Sequence, residues 1–321
     1  MLTIEGLAAA AGRFTATTVC IGAFDGVHLG HQALIDATVR DARAAGRSAV
    51  VLTFDRRPAE VTGAAEMPGY LTTPAQRARA IAERGVDALV VARFDEQLRA
   101  TDPAPFAEEA LAGMLSARAV VVGEGFRYGR GQSGDVETLR ADGRRLGFRV
   151  VAVPPVVDGG GKVSSTRIRE LVSRGEVGEA ARLIGRPFAL QGQVGTGQQL
   201  GRRLGYPTAN LVPSFPQVTP ADGVYACWSV WDGERRPAAC GIGVRPTIGG
   251  GPRSIEAYIV GFDGDLYGRT LELEFVKRLR GEERFDTVDA LREQMGRDVT
   301  ATLEALGIVS TVAPTGEGAS H

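Results

Sequence analysis

The 321-residue chain is poor in the residues that build disulfide frameworks, metal sites and membrane spans. It has three cysteines, Cys20, Cys227 and Cys240, far apart, odd in number and without a CxxC pair. That argues against a disulfide scaffold or a zinc site and fits a reducing cytoplasm. It has three histidines, one of them the terminal His321, too few for a histidine-based metal centre. Its longest apolar runs, such as SAVVLTF, fall far short of the ~20 residues a spanning helix needs. The start, MLTIEGLAAAAGRF, has no basic n-region and carries Glu5, unlike a secretory signal. An excess of one charge is also missing: 37 basic against 38 acidic residues leave a net charge of -1. Nucleic acid and membrane surfaces are therefore not expected as partners. A local basic cluster such as Arg202–Arg203 can still hold one small anion. The expectation is a soluble cytoplasmic protein that acts on small molecules, as a monomer or weak homo-oligomer.

What is present is order of two kinds. In the first half, apolar runs at 17–22, 48–54, 87–94, 117–123 and 148–154 alternate with helix-like segments. Runs that are continuous rather than alternating indicate strands covered on both faces. In the segment HQALIDATVRDARAAG, the residues Leu34, Ile35, Thr38, Val39 and Ala42 share one helical face, and Gly46 can stop the helix. This pattern predicts a doubly wound parallel sheet that takes ligands beyond the C-terminal ends of its strands. After residue 154 come a turn-rich loop and two short helices stopped by Gly175 and Gly185. The second half has strands at 223–233, 235–244, 254–262 and 270–279, with WDGE and FDGD as hairpin signals. These predict a small antiparallel β-barrel. A last helix spans about 287–307, with Val288, Leu291, Met295, Val299 and Leu306 near one face. The expected domains are 1–185 and 186–308, followed by an unstructured tail at 309–321.

Three stretches carry chemistry. GAFDGVHLGH (22–31) follows the first long strand and feeds a helix. Gly22, Gly26 and Gly30 let the backbone come close to a ligand, and a helix N-terminus favours an anion. His28 and His31 add donors there, so a phosphate chain is the natural guest. A tight turn with capping histidines is the plain alternative. SSTRIRELV (164–172) places hydroxyls and guanidinium groups at a second helix N-terminus. Alone it is more often a helix cap with surface charge than a phosphate site. Together the two stretches suit a nucleoside triphosphate gripped from two sides. LGRRLGYPTANL (200–211) is the third.

HxGH after the first strand with a later SSTRIR resembles the nucleotidyltransferases that transfer an NMP group and release pyrophosphate. GYPTAN resembles the G-x-P-T-A-N motif of riboflavin kinases. From about Val19 to Asp298 the chain is similar to the bacterial bifunctional FAD synthetases, which join riboflavin kinase to FMN adenylyltransferase. LTFD, YLTTPAQR, SSTRIRELVSRGEVGEAARLIGRPF, GVRPT, IEAYIVGFDGDLYG and LRGEERFDTVDAL occur in the same linked order.

The resemblance implies that riboflavin and ATP give FMN, and that FMN and a second ATP give FAD and pyrophosphate, both with Mg²⁺. It assigns His28 and His31 to the ATP phosphates and Gly22, Phe24, Asp25 and Gly30 to their loop. Ser164, Ser165, Thr166, Arg167 and Arg169 would hold the outer phosphates and the leaving pyrophosphate. Phe54, Arg57, Gly125, Phe126, Arg127 and Tyr128 would lie toward flavin and nucleotide. In the second half, Thr208 and Asn210 would ligate Mg²⁺, Gly195 and Gly197 would admit the phosphates, and Glu256 would be the base for the riboflavin 5′-hydroxyl. Arg284 would border the flavin. Glu272 and Glu274 read as a solvated strand face.

The chain departs from the family at three places. Arg56–Arg57 replace a Pro-His pair, Gly125 replaces Asp or Asn, and Gly241 stands where Asn is frequent. Arg57 cannot serve as an acid or base, although it can bind phosphate. Two other readings therefore stand beside the first: a transferase half that uses another NTP or a modified flavin, and a flavin- or nucleotide-binding sensor with an inactive first half.

Overall fold

The computed structural model describes residues 1–57, 60, 69–195, 205–244 and 253–308. The predicted tail and Gly197 lie outside them. The chain divides into two compact units: Met1–Arg169 with Leu183–Gly185, and Glu170–Arg182 with the chain from Arg186 onward.

The first unit is a six-stranded, wholly parallel sheet in the order β1-β4-β3-β2-β5-β6. The five strands read from apolar runs are β2 (Thr17–Ile21), β3 (Ser48–Phe54), β4 (Ala88–Ala92), β5 (Ala117–Gly123) and β6 (Arg149–Val153). β2 is buried along its whole length, as a strand covered on both faces must be. The edge strand β1 (Leu2–Glu5) was not expected from the sequence. Only its Ile4 is buried, and four residues carry too little pattern to stand out. Helix α1 (Leu29–Ala44) returns from β2 to β3 and buries Ile35, Thr38 and Ala42. Helix α2 (Pro74–Ala82) precedes β4, and helix α3 (Val136–Leu146) precedes β6. The chain winds to one side of β2 through β3 and β4 and to the other through β5 and β6. The β2–β5 boundary is thus the switch point, where open α/β sheets leave a crevice for ligands. The loop 22–28 lies there. A small hairpin, β7 (Val157–Asp158) with β8 (Gly161–Lys162), precedes α4 (Ser165–Ser173) and α5 (Val177–Ile184). Gly175 and Gly185 follow these helices with φ of +79° and +82°, as their stop role requires.

The second unit holds a closed antiparallel barrel of order β10-β13-β12-β11-β14-β9. Its strands are β9 (Phe188–Gly195), β10 (Thr208–Pro213), β11 (Gly223–Trp231), β12 (Glu234–Val244), β13 (Arg253–Ile259) and β14 (Thr270–Arg280). Asp232 and Gly233, with φ of 44° and 85°, form the tight turn between β11 and β12 that WDGE signalled. FDGD instead lies in a longer loop between Ile259 and Thr270. Phe188, Leu190, Tyr225, Leu273 and Phe275 are fully or almost fully buried in the barrel. Two side-chain expectations are corrected. Glu272 is buried at 6 % exposure rather than solvated. On α6 (Val288–Ala305), Val288 is exposed, and the buried residues are Asp298 and Thr302. Asp298 is buried because Arg280 grips both of its oxygens, at 2.9 and 2.7 Å, and so compensates its charge.

Candidate functional site

The loop after β2 is strained where it turns into α1. Phe24 and Val27 have φ of 50° and 40°, unusual for residues with a Cβ, and Gly26 has φ +86°. A Cβ on Gly26 would meet Leu71 Cδ1 at 2.8 Å, so glycine is required there on two counts. Asp25 fastens this shape. Its buried carboxylate accepts the Leu71 N–H at 2.9 Å, the Thr72 N–H at 3.2 Å and the Thr72 hydroxyl at 3.3 Å. Its other oxygen pairs with Arg169, whose Nε–H donates to Gly69 O at 3.0 Å. Ser165 Oγ donates to Asp25 O at 2.9 Å. The two helix N-termini read separately from the sequence, at 22–31 and 164–169, therefore meet.

His28 caps α1, and its Nδ1 accepts the His31 N–H at 3.3 Å. That bond leaves the proton of a neutral His28 on Nε2. The His31 ring stacks on His28 with centroids 3.7 Å apart and 15° between planes. Burial pushes the His28 pKa down to about 4, against a smaller raising influence from its own backbone, and Arg169 and Lys162 lower it further. His31 is driven well below its ordinary value, first by burial and then by His28 and Arg169. The pair is a neutral donor set at pH 7. Among the described residues, no cluster of three or more His, Cys, Asp or Glu could hold a metal ion.

The remaining residues of the grip play unequal parts. Phe24 is fully buried against His31, at 5.2 Å between rings, and shapes the loop from within. A Cβ on Gly30 would crowd the His28 ring at 3.2 Å, and one on Gly22 would crowd the Phe24 ring at 3.2 Å. Ser164 Oγ accepts the Arg167 N–H at 3.3 Å as a helix cap. Arg167 braces the β7–β8 hairpin through Asp158 O and Gly161 O. Thr166 is exposed.

Beside this edge lies a cavity of about 330 Å³ lined by Ile21, Phe54, Phe94, Leu98, Phe126 and Tyr128, among others that include Arg127. Phe126 stacks on Tyr128 with centroids 5.5 Å apart, and Phe54 meets Phe94 edge-on at 5.3 Å. Such an apolar, aromatic slot suits a planar ring system. Phe94 and Leu98 had no functional signal in the sequence: Phe94 only closes an apolar run, and Leu98 sits in the short helix Glu96–Ala100 outside any motif. Arg57 does not reach into open space. Its guanidinium sits 3.9 Å over the Tyr70 ring and pairs with Glu60 at 3.0 Å. Gly125 is exposed, with nothing within 4 Å of an added Cβ.

In the barrel, Thr208 and Asn210 on β10 face the same way as Glu256 on β13. Asn210 lies directly opposite Glu256, and Thr208 Oγ1 is 3.4 Å from Glu256 Oε2. Gly195 on β9 pairs with Asn210. Gly241 on β12 is also directly opposite Glu256, so that departure borders the site. Alternation along β13 leaves Glu256 half-buried with Tyr258 while Ile255, Ala257 and Ile259 are buried. A cavity of about 580 Å³ opens at Pro207, Thr208 and the 262–267 loop. Arg284 is exposed.

A parallel-sheet unit with a histidine-capped loop at a helix N-terminus, joined in one chain to a barrel with a Thr-Asn-Glu oxygen cluster, is the architecture of a two-part transferase. Family comparison agrees in both parts: the FAD synthetase pattern matches residues 12–167 and the riboflavin kinase pattern residues 184–306. The chain is 36% identical over 289 residues to the bifunctional riboflavin kinase/FMN adenylyltransferase of Escherichia coli (strain K12), covering 90% of this chain and 92% of that protein. It is 38% identical over 282 residues to the protein of the same name from Pseudomonas fluorescens, covering 88% and 90%. A solved structure described as a macrolide-efflux protein from Streptococcus pneumoniae superposes with a TM-score of 0.85 at 32% identity, over 94% of this chain and 99% of that one. Among the described residues, no helix is long and apolar enough to cross a membrane. The chain belongs to the family of bifunctional riboflavin kinase/FMN adenylyltransferases.

Proposed function

We propose that this chain makes FAD from riboflavin in two steps at two sites. Riboflavin and ATP give FMN and ADP; FMN and ATP then give FAD and pyrophosphate. The observation that carries the reading is the meeting of two helix N-termini at one sheet edge, fastened by Asp25 and Arg169, beside an aromatic cavity. The transferase reaction belongs to residues 1–185 and the kinase reaction to 186–308.

In adenylyl transfer, the FMN phosphate attacks the ATP α-phosphorus and pyrophosphate leaves. No protein nucleophile is needed, so the residues bind, orient and stabilise charge. His28 and His31 donate neutral N–H groups to the phosphates. Gly22, Phe24, Asp25 and Gly30 hold the loop around them, and Ser164, Ser165, Thr166, Arg167 and Arg169 face the outer phosphates. Arg169, fixed beside the loop by Asp25 and Gly69 O, lends its positive charge to the leaving pyrophosphate. Phe54, Phe126, Arg127 and Tyr128 hold the flavin, with Gly125 at the rim. Arg57 is engaged by Tyr70 and Glu60, so its part at the flavin is to brace that wall.

In the kinase, Glu256 takes the proton of the riboflavin 5′-hydroxyl. The Thr208 and Asn210 oxygens beside it are hard donors that suit Mg²⁺. When bound, the ion neutralises phosphate charge. Gly195 leaves room for the phosphate chain, and Arg284 borders the flavin. Buried free Cys20, Cys227 and Cys240 are compatible with work in a reducing cytoplasm.

The test is to incubate the protein with Mg²⁺, riboflavin and each NTP in turn, and to separate the flavins by chromatography. ATP should yield FMN and then FAD. FMN as the sole product with ATP would sink the reading, and a different dinucleotide with CTP or GTP would favour a changed transferase.

A further inference from the structure

Arg77, in the first turns of α2, is 7 % exposed, and its two terminal nitrogens bond carbonyl oxygens rather than a carboxylate. One donates to Ala23 O at 3.0 Å and the other to Phe54 O at 3.0 Å. Burial opposes its charge, and Asp25, Tyr70, Asp55 and Glu5 support it from a distance. A buried cation satisfied by neutral groups is an expensive fixture, and an apolar residue of the same volume would pack there at less cost.

The two carbonyls explain its place. Ala23 opens the strained loop that leads to His28 and His31, just after β2. Phe54 ends β3 and lines the aromatic cavity. β2 and β3 are neighbours in the sheet, so the fork of one guanidinium ties together the edges that carry nucleotide and flavin. Thr53 Oγ1 adds a third bond, to Ala23 O at 3.2 Å. The helix that carries Arg77 is itself fixed by a capping box between Thr73 and Gln76 and by Pro74 at its start. Asp25, which shapes the same loop, is held by Leu71 and Thr72 just ahead of that helix.

We propose that Arg77 is a positioning residue for adenylyl transfer: its fork sets the separation between the flavin slot and the phosphate loop, and so the in-line approach of the FMN phosphate to the ATP α-phosphorus. Misplacing reacting groups by about 1 Å can cost about 10²-fold in rate. This rests on the adenylyltransferase reading above. Lysine keeps the charge, but its three donors leave one nitrogen and cannot reproduce the planar two-nitrogen fork that spans the two carbonyls.

The experiment compares Arg77→Lys and Thr53→Val with the unaltered protein, measuring kcat and KM for FAD formation from FMN and ATP, FMN formation from riboflavin, and thermal midpoint. Arg77→Lys should lower kcat for FAD formation roughly 10- to 100-fold, with both KM values within about threefold and FMN formation unchanged. Thr53→Val should lower the same kcat by a smaller factor. If Arg77→Lys keeps full kcat, or if its loss tracks a fallen thermal midpoint while Thr53→Val leaves kcat untouched, the proposal is wrong. Absence of FAD formation in the unaltered protein would instead overturn the adenylyltransferase reading itself.

Discussion

Around the phosphate loop of the parallel sheet, charge is either suppressed or already paired: His28 and His31 are neutral, and Arg169 is matched to Asp25. Around β10 and β13 of the barrel, an acid stands half-buried among oxygen donors. Under the proposed function the difference follows from the nucleophiles. A phosphate dianion needs no deprotonation, so its proposed site requires only position and neutral donors. A primary hydroxyl must lose a proton, so its proposed site needs a base, the role assigned to Glu256. The backbones follow suit. A strained loop at a helix N-terminus offers N–H groups to an anion, whereas cross-strand pairing puts side-chain oxygens side by side.

The sharpest way to break this contrast is Glu256→Gln. It should lower FMN formation from riboflavin by about 10²–10⁴-fold while FAD formation from supplied FMN stays intact. His31→Ala should do the reverse, lowering FAD formation roughly 10²-fold or more and leaving FMN formation nearly unchanged, with separated flavins as the readout. Asp25→Asn tests whether the loop is held by charge. It leaves Arg169 bonded to Gly69 O but without a charge partner, and should lower stability by about 3 kcal/mol in denaturant unfolding, with FAD formation falling and FMN formation retained.

Acid should separate the two regions more gently. The histidines bind protons more readily unfolded, near pH 6.5, than folded, where burial takes His28 down to about 4 and holds His31 well below 6.5. Their contribution to stability is complete above about pH 6.5 and is lost as pH falls toward 4, at up to about 1.4 kcal/mol per pH unit for each ring. Replacing both by Gln should flatten that slope in pH-dependent unfolding; an unchanged slope would show that the histidines titrate normally. The smallest effect belongs to Gly125→Asn. Open space surrounds this position, so unfolding should shift by less than about 0.5 kcal/mol, and a larger loss would mean the rim is packed.

Much of this was readable in the residues because the physics is local. Continuous apolar runs mark β2 to β6, and Gly175 and Gly185 mark helix ends. HxGH and SSTRIR announce helix N-termini, but their meeting through Asp25 and Ser165 depends on a fold that joins residues some 140 positions apart. β1 escaped because four residues with one buried side chain carry almost no pattern. Glu272 read as solvated because burial of a carboxylate depends on its surroundings, and for the same reason the buried Asp298, compensated by Arg280, gave no signal of its own. Arg77 escaped for a related reason: its partners are carbonyls, which every residue carries, so no spacing in the sequence reveals them.

Two independent sites in one chain make a direct demand. Mix the Glu256→Gln and His31→Ala variants, supply riboflavin, ATP and Mg²⁺, and follow FAD by chromatography. Each variant alone should yield little or no FAD from riboflavin, and the mixture should restore it as FMN made by His31→Ala is adenylylated by Glu256→Gln. A mixture that stays silent, or either variant losing both activities, would contradict the two-site assignment.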